Sequence, residues 1–282
     1  MTRPGRGSGS PGNFGARAAQ RRPAAAFPIA EPDLPRDVVE SGPYRLSFAR
    51  TAEELRALQR LRFAVFNLEL GEGLASSLES GLDRDDLDGV MHHILITDRR
   101  TGEVVGTYRM QTAAMAAANS GFYSAREFDF SQFPMEIIDD AVEVGRACIA
   151  KDHRSRRVLH LLWRGLAVYL TRAGKHHLFG CCSLTTQDGR VGNAAHAFLA
   201  DGGHLHPHAR VWPLPGFECG LHDHGGTPEE PVDIPPLFRS YLNLGAQICG
   251  PPAIDRAFRT IDFLVVLDVR ELERHVFRSF FR

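Results

Sequence analysis

The sequence predicts a mixed α/β or α+β fold built on one central sheet. Two observations carry that expectation: short apolar stretches with strand alternation, and longer stretches with helical spacing that follow them along most of the chain. The alternation begins at "YRLSFAR" (44–50), where Tyr44, Leu46 and Phe48 fall on one side of a strand. A helix follows, because Thr51 and Glu54 stand at capping-box spacing. Leu55, Leu58, Leu61, Phe63, Val65 and Phe66 then recur with helical period.

Further along, "HHILITD" (92–98) and residues 103–110 read as two strands joined at "DRRTG", a hairpin. An aromatic segment, "NSGFYSAREFDFSQF", precedes the stretch "AVEVGRACIA" (141–150). Next comes "RRVLHLLWRGLAVYLTRAG", an amphipathic helix that Gly174 ends. "HHLFGCCSL" (176–184) is a buried strand, and helices near 189–200 and 236–247 lead to a strand at 260–267. Residues 1–40 break the pattern. They are rich in Gly, Pro, Ala and Arg, and Met1–Pro28 contains no acid, so a disordered tail is expected before a domain of residues 41–282.

Composition excludes several classes. Of 282 residues 43% are hydrophobic and 24% charged, and the net charge of −1 gives no electrostatic footprint for nucleic acid. Five cysteines, two of them adjacent (Cys181 and Cys182), make no secreted disulfide framework and point to a reducing, cytoplasmic setting. No apolar run reaches the roughly 20 residues of a membrane-spanning helix.

The stretch 141–150 carries the chemistry. Glu143 and Arg146 interrupt an apolar strand with Gly145 between them. Charges in a core strand are paired or functional. A glycine there marks a bulge, which splays the strand and frees backbone N–H groups, an oxyanion-hole arrangement. Glu143 beside it is a candidate base, and a Glu–Arg ion pair is the structural alternative. Lys151, Arg154, Arg156 and Arg157 then stand at the head of a helix, where phosphate is favoured.

Four other signals are weaker. "DRDDLDG" (83–89) fails the EF-hand pattern, since Leu87 and Asp88 occupy positions that need an oxygen ligand and a glycine. "HLHPH" (204–208) and "LHDHGG" (221–226) place histidines on one side, but Pro207 breaks strand pairing and no CxxC accompanies them, so no metal is expected. Cys148 is a buried cysteine or an acyl-enzyme nucleophile, and direct transfer is the expected route. Phe122, Tyr123, Phe128, Phe130 and Phe133 suit an acyl tunnel or a core equally.

Strand, basic turn and long helix resemble the acyl-thioester site of the GNAT acyltransferase fold, with its mixed sheet and splayed strand. The usual phosphate loop there is Q/R-x-x-G-x-G/A; Arg154 matches its first position, while Arg157 and Leu159 replace its glycines. That favours a single phosphate, as on an acidic acyl carrier protein, over the pyrophosphate of CoA. "GTYRM", "GFYSAREFDFS", "VEVGRACI", "LLWRGLAVYL" and "HLFGCCSL", in that order, resemble the bacterial ornithine-lipid N-acyltransferases, and "PPLFRSYLNLGAQICGPPAIDRAFRTIDFLVVL" continues the likeness. The acyl-homoserine-lactone synthases are more distant relatives.

The resemblance implies transfer of a 3-hydroxy fatty acyl group from acyl carrier protein to the α-amine of ornithine, with no bound cofactor. The product would be a lyso-ornithine lipid, released by transient contact with a membrane. It carries roles over to Arg62 and Phe66 in "LRFAVF", to Asp85 and Asp88, to Arg109, and to Glu143 and Arg146. The aspartates would hold the acceptor's side-chain ammonium and Arg109 its carboxylate. A salt-bridge network among Arg62, Asp85, Asp88, Arg109 and Glu143 is the alternative. The chain departs from the family pattern at His92, where Asp is expected, and at Thr185 and Thr186, where a Pro-Gly turn is expected. Another amino acid as acceptor, a homoserine-lactone synthase and a non-catalytic carrier-protein binder remain alternatives.

Overall fold

The computed structural model of the protein describes residue 27 and residues 33–220 and 233–282. Strands β1 (Val39–Ser41) and β2 (Tyr44–Phe48) form an antiparallel edge. Helix α1 (Ala52–Arg62) starts at the capping box: the Thr51 side chain accepts from the Glu54 N–H at 3.1 Å and Glu54 takes the Thr51 N–H at 3.0 Å. It runs on as a π-helical stretch, Phe63–Leu70, that Gly71 ends at φ 71°. A single turn, α2 (Ser77–Ser80), leads to the hairpin of β3 (His92–Asp98) and β4 (Val104–Thr112).

Helix α3 (Ala113–Ala118), a 3-10 turn (Ser124–Arg126), β5 (Phe128–Asp129) and α4 (Met135–Asp139) precede β6 (Ala141–Ile149). Helix α5 (Arg156–Ala173) ends at Gly174, whose φ of 64° suits the left-handed cap. Then follow β7 (His177–Leu184), α6 (Gly189–Asp201), β8 (Trp212–Pro213), α7 (Pro236–Asn243), β9 (Gln247–Ile248), β10 (Ala253–Asp255), β11 (Thr260–Asp268) and α8 (Arg274–Phe281).

The main sheet has the order β1-β2-β3-β4-β6-β7-β11-β10, with β9 also paired to β11. Its pairs are antiparallel except β6 with β7. That parallel register covers only Ala141↔His177, Val142↔Leu178 and Glu143↔Phe179, and then the two strands diverge. Gly180 sits at the apex, where a Cβ would collide with the Val144 carbonyl oxygen. Only glycine lets the backbones approach that closely before they part. One face of the sheet (Ile94, Ile96, Val142, Leu178, Val265) packs against Leu162, Leu166 and Leu170 of α5 and Phe238 of α7. On the other face Phe179, Leu264 and Val266 meet Phe128, Phe133 and Ile137.

The mixed sheet with a splayed strand agrees with the sequence expectation. Four details differ. Residues 33–40, assigned to the tail, belong to the fold: Leu34 is buried and β1 begins at Val39, because this segment covers the β2 edge. Phe27 packs against Ala49, Leu58 and Leu95, and the rest of the expected tail lies outside the described residues. Helix α7 is shorter than 236–247, because Gly245 turns the chain at φ 92° and Gln247–Ile248 pair with β11. Helix α8 has no counterpart in the sequence reading. Phe128 and Phe133 are buried in a core cluster against which Phe122 and Phe130 pack, rather than lining a tunnel.

Candidate active site

A cavity of about 710 Å³ passes through the gap between β6 and β7. Ligand sites commonly have this size. Its apolar arm is lined by Leu159, Leu162, Leu237, Phe238, Tyr241 and Leu267, and its polar arm by Glu72, Arg109, Tyr123, Glu143, Thr260 and Asp262. The mouth reaches Arg154, Ser155 and Arg156 at the start of α5. Ser155 caps that helix, accepting from the Val158 N–H at 3.4 Å. The apolar wall of the cavity therefore comes from α5, α7 and β11, and of the aromatic segment only Tyr123 lines it.

The predicted bulge is present in β6. Its register against β4 steps from Arg109↔Gly145 to Thr107↔Cys148, one extra residue on the β6 side. The left-handed residue is Arg146, at φ 50°, rather than Gly145. Positive φ is uncommon outside glycine and marks local strain. The Arg146 guanidinium lies between the Phe66 ring at 4.2 Å and the Phe258 ring at 4.3 Å, and donates to Asp83. Val144 to Ile149 have no β7 ladder partner, so the bulged edge faces the cavity.

Glu143 is buried at the splay and lines the cavity. Its Oε1 accepts from the Ser124 N–H at 2.8 Å and the Ser124 hydroxyl at 2.6 Å. Its Oε2 accepts from the Tyr123 N–H at 3.0 Å and Gln111 Nε2 at 2.6 Å. Four donors fill the carboxylate's acceptor directions. This arrangement anchors residues 121–124 to the strand and leaves no lone pair facing an incoming amine.

Arg62, Asp85, Asp88 and Arg109 do form a network, with Asp83 and Arg146 in the place expected for Glu143. Arg62 donates to Asp88 Oδ1 at 2.8 Å and lies 3.0 Å from Asp83 Oδ1. Arg109 reaches both Asp85 oxygens at 2.6 Å and Asp88 at 3.0 Å. Gln59 adds a hydrogen bond to Asp88 at 2.9 Å. Burial alone would raise the Asp88 pKa, but Arg62 and Arg109 outweigh it and hold it far below the usual carboxylate range. Burial and Arg62 lower His93 to about 4 despite Asp88, so the ring is neutral. Of the six network residues only Arg109 and Arg146 line the cavity, and Phe66 joins them. Asp85 and Asp88 face arginines.

At the mouth, Arg154 pairs with Glu69 at 2.7 Å and Arg157 lies against Gly42. Lys151 stands in the 3-10 turn before α5. His92, at the first departure from the family pattern, is buried against the Tyr169 hydroxyl at 2.8 Å. Thr185, at the second, lines the cavity and donates to Glu72, whose pKa burial raises. Burial pushes the Cys148 thiol up to about 12, so it carries no thiolate near neutral pH. The 204–208 histidines form no three-ligand cluster among the described residues, and His222 and His224 lie outside them.

Comparison with known proteins bears on this geometry. Residues 61–164 match the family described as an acetyltransferase (GNAT) domain. The chain is 31% identical over 246 residues to the L-ornithine N(alpha)-acyltransferase of Agrobacterium fabrum, covering 82% of this chain and 83% of that one. The chain belongs to the L-ornithine N(alpha)-acyltransferase family. The enzyme of that name from Rhodobacter capsulatus is 31% identical, with 82% of this chain and 93% of its own covered. A solved CoA-dependent acyl-homoserine lactone synthase, BjaI, is 13% identical, covers 81% of each chain and has a TM-score of 0.47. This member of the L-ornithine N(alpha)-acyltransferase family is therefore an N-acyltransferase of GNAT fold.

Sequence reasoning missed Asp83, Glu127 and Asp262. Asp262 interrupts "TIDFLVVL" as Glu143 interrupts "VEVGR". The same signal, a lone charge in an apolar strand, was available for both.

Proposed function

We propose that the protein transfers a 3-hydroxy fatty acyl group from acyl carrier protein to the α-amine of ornithine, giving a lyso-ornithine lipid. One observation carries this reading: the cavity joins an apolar arm, a bulged strand edge and a polar arm, and opens at a basic helix start. The apolar arm suits the acyl chain. Lys151, Arg154, Arg156 and Arg157 suit a phosphopantetheine phosphate and the acidic face of a carrier protein. The names of the relatives supply the acceptor.

In this reading the thioester carbonyl lies beside the β6 bulge, where N–H groups of the unpaired edge receive the developing oxyanion. The amine attacks the carbonyl carbon, the C–N bond forms and the C–S bond breaks. The leaving sulfur takes a proton and departs as the pantetheine thiol. The α-ammonium must first lose a proton. Glu143, expected to do this, is held by four donors and serves instead as a positioning residue for Tyr123 and Ser124. Glu72 is the better acceptor, because burial raises its pKa and it borders the cavity. Arg109 keeps the carboxylate-binding role only through its face toward the cavity, since Asp85 and Asp88 occupy its Nη1. No helix among the described residues is long and apolar enough to cross a membrane. The lipid product then leaves by peripheral contact with a bilayer.

The test is mass spectrometry of reactions of purified protein with 3-hydroxyacyl carrier protein and a panel of amino acids. An N-acyl-ornithine product, formed from the carrier protein in preference to acyl-CoA, is expected. Amides of another amino acid would replace the acceptor, and preference for acyl-CoA would replace the donor.

A further inference from the structure

One cluster at the edge of the cavity has no counter-charge: Asp262 lines the cavity and Glu127 stands behind it. Glu127 and Asp262 are each 3% exposed. Glu127 Oε2 and Asp262 Oδ1 have no hydrogen-bond partner among the described residues. Ligand atoms of Glu127, Asp262 and Cys181 lie within 4.8 Å of one another. Asp255 stands nearby, accepting from the Tyr123 hydroxyl at 3.0 Å and from the Ala257 and Phe258 N–H groups at 2.7 and 3.0 Å. Tyr123, Cys181, Thr260 and Asp262 all line the cavity.

Two buried carboxylates this close either share a proton or enclose a cation. We propose that Glu127 and Asp262 are the subsite that recognises the side-chain ammonium of the acceptor amino acid. The proposal rests on the reading that the acceptor carries such an ammonium. Position supports it. Asp262 is paired in register with Ser183 of β7, so the subsite lies one strand beyond the gap where the acyl group is attacked. Neighbouring strands are about 4.8 Å apart, within reach of a three-methylene side chain. The aspartates first expected to do this, Asp85 and Asp88, already hold arginines, whereas Glu127 Oε2 and Asp262 Oδ1 are buried with no donor among the described residues, and Asp262 lines the cavity.

The experiment is steady-state acyl transfer with ornithine and with norvaline, which has the same carbon chain and no terminal amine. Wild type, Glu127→Gln and Asp262→Asn are compared. The wild type should prefer ornithine. Each variant should raise KM for ornithine by roughly tenfold or more and shrink the ornithine-over-norvaline ratio of kcat/KM by a similar factor. In the wild type, the preference for ornithine should also grow as pH rises, because the cation displaces the proton that Glu127 and Asp262 share; Asp255, Cys181 and Tyr123 are the other titratable groups facing them. That measurement needs no variant to fold.

Equal losses of kcat with both acceptors would make the pair a base and overturn the proposal. So would activity lost to EDTA and restored by zinc, since the same oxygens with Cys181 can ligate a metal. Variants that keep the wild-type preference would overturn the subsite alone. A wild type that prefers norvaline would overturn the ornithine reading as well.

Discussion

Two groups of buried charge flank the same cavity and are built in opposite ways. Around Arg62 three arginines alternate with three aspartates, and ion pairs link them in one chain. Around Glu127 and Asp262 the neighbouring charges are of one sign, and burial, with Asp255 beside them, raises the pKa of both. Burying charge is tolerable only when partners replace water. The first group meets that condition within the chain. The second has no cation within the chain, so it is balanced by a proton that the carboxyls share or by a cation from outside. Charge balance, not proximity to the cavity, separates the two groups.

The largest expected effect comes from unbalancing the saturated group. Arg62→Ala would leave Asp83 and Asp88 buried without their shared guanidinium, at a cost of about 3–5 kcal/mol. Urea denaturation should show the midpoint falling accordingly. A change below about 1 kcal/mol would mean that solvent reaches these aspartates and that the contrast between the groups fails. Next in size is Glu143→Ala, which strands the donors of Gln111, Tyr123 and Ser124. A loss of about 1–3 kcal/mol is expected, with Glu143→Gln recovering part of the stability and part of the activity. Full loss of activity in a Gln variant of wild-type stability would return the proton-acceptor role to Glu143.

The sequence showed the frame of this site more readily than its partners. Periodicity located β3, β4, β6, β7 and α5 because each is long and packs one side against the core. Gly145 between two charges disclosed the bulge. It did not disclose that Arg146 takes the left-handed conformation, because that depends on Asp83, Phe66 and Phe258, which come from distant segments. Glu143, Asp85 and Asp88 were visible as functional candidates, yet their roles depended on which donors the fold brings to them. Ser124, Tyr123 and Gln111 converge on Glu143 from two other segments, and no local pattern announces that. Asp262 carries the same lone-charge signal as Glu143 but has no glycine beside it to mark a bulge, and Glu127 sits in an irregular aromatic stretch.

The unsaturated group should show itself in stability as well as specificity. Burial raises Asp262 from 3.8 to about 6. A raised carboxyl pKa contributes stability that is complete below the unfolded value and is lost as pH rises through the folded one. Asp262→Asn removes that loss. Without acceptor present, the variant should melt above the wild type at pH 8, by roughly 2–4 °C, and the difference should vanish near pH 4. A variant that melts below the wild type at pH 8 would mean that Asp262 already has a partner, and the two groups would no longer differ in kind.

The smallest effect on stability is expected at the mouth. Arg154 is 44% exposed and its partner Glu69 is 24% exposed. Solvent screens such a pair, so Arg154→Ala should change stability by about 0–1 kcal/mol. Binding is a different matter, because Arg154 borders the cavity at the start of α5, where the helix N-terminus already favours a phosphate. The variant should raise KM for the acyl-carrier donor, more steeply at low ionic strength, with KM for the acceptor amino acid unchanged. Titrating salt against the donor's kcat/KM checks this, since screening weakens a long-range charge interaction and leaves the acyl chain's apolar contacts intact. A donor KM insensitive to both salt and the variant would show that the carrier approaches by another face. Arg154 would then belong with the paired framework charges, despite its exposure.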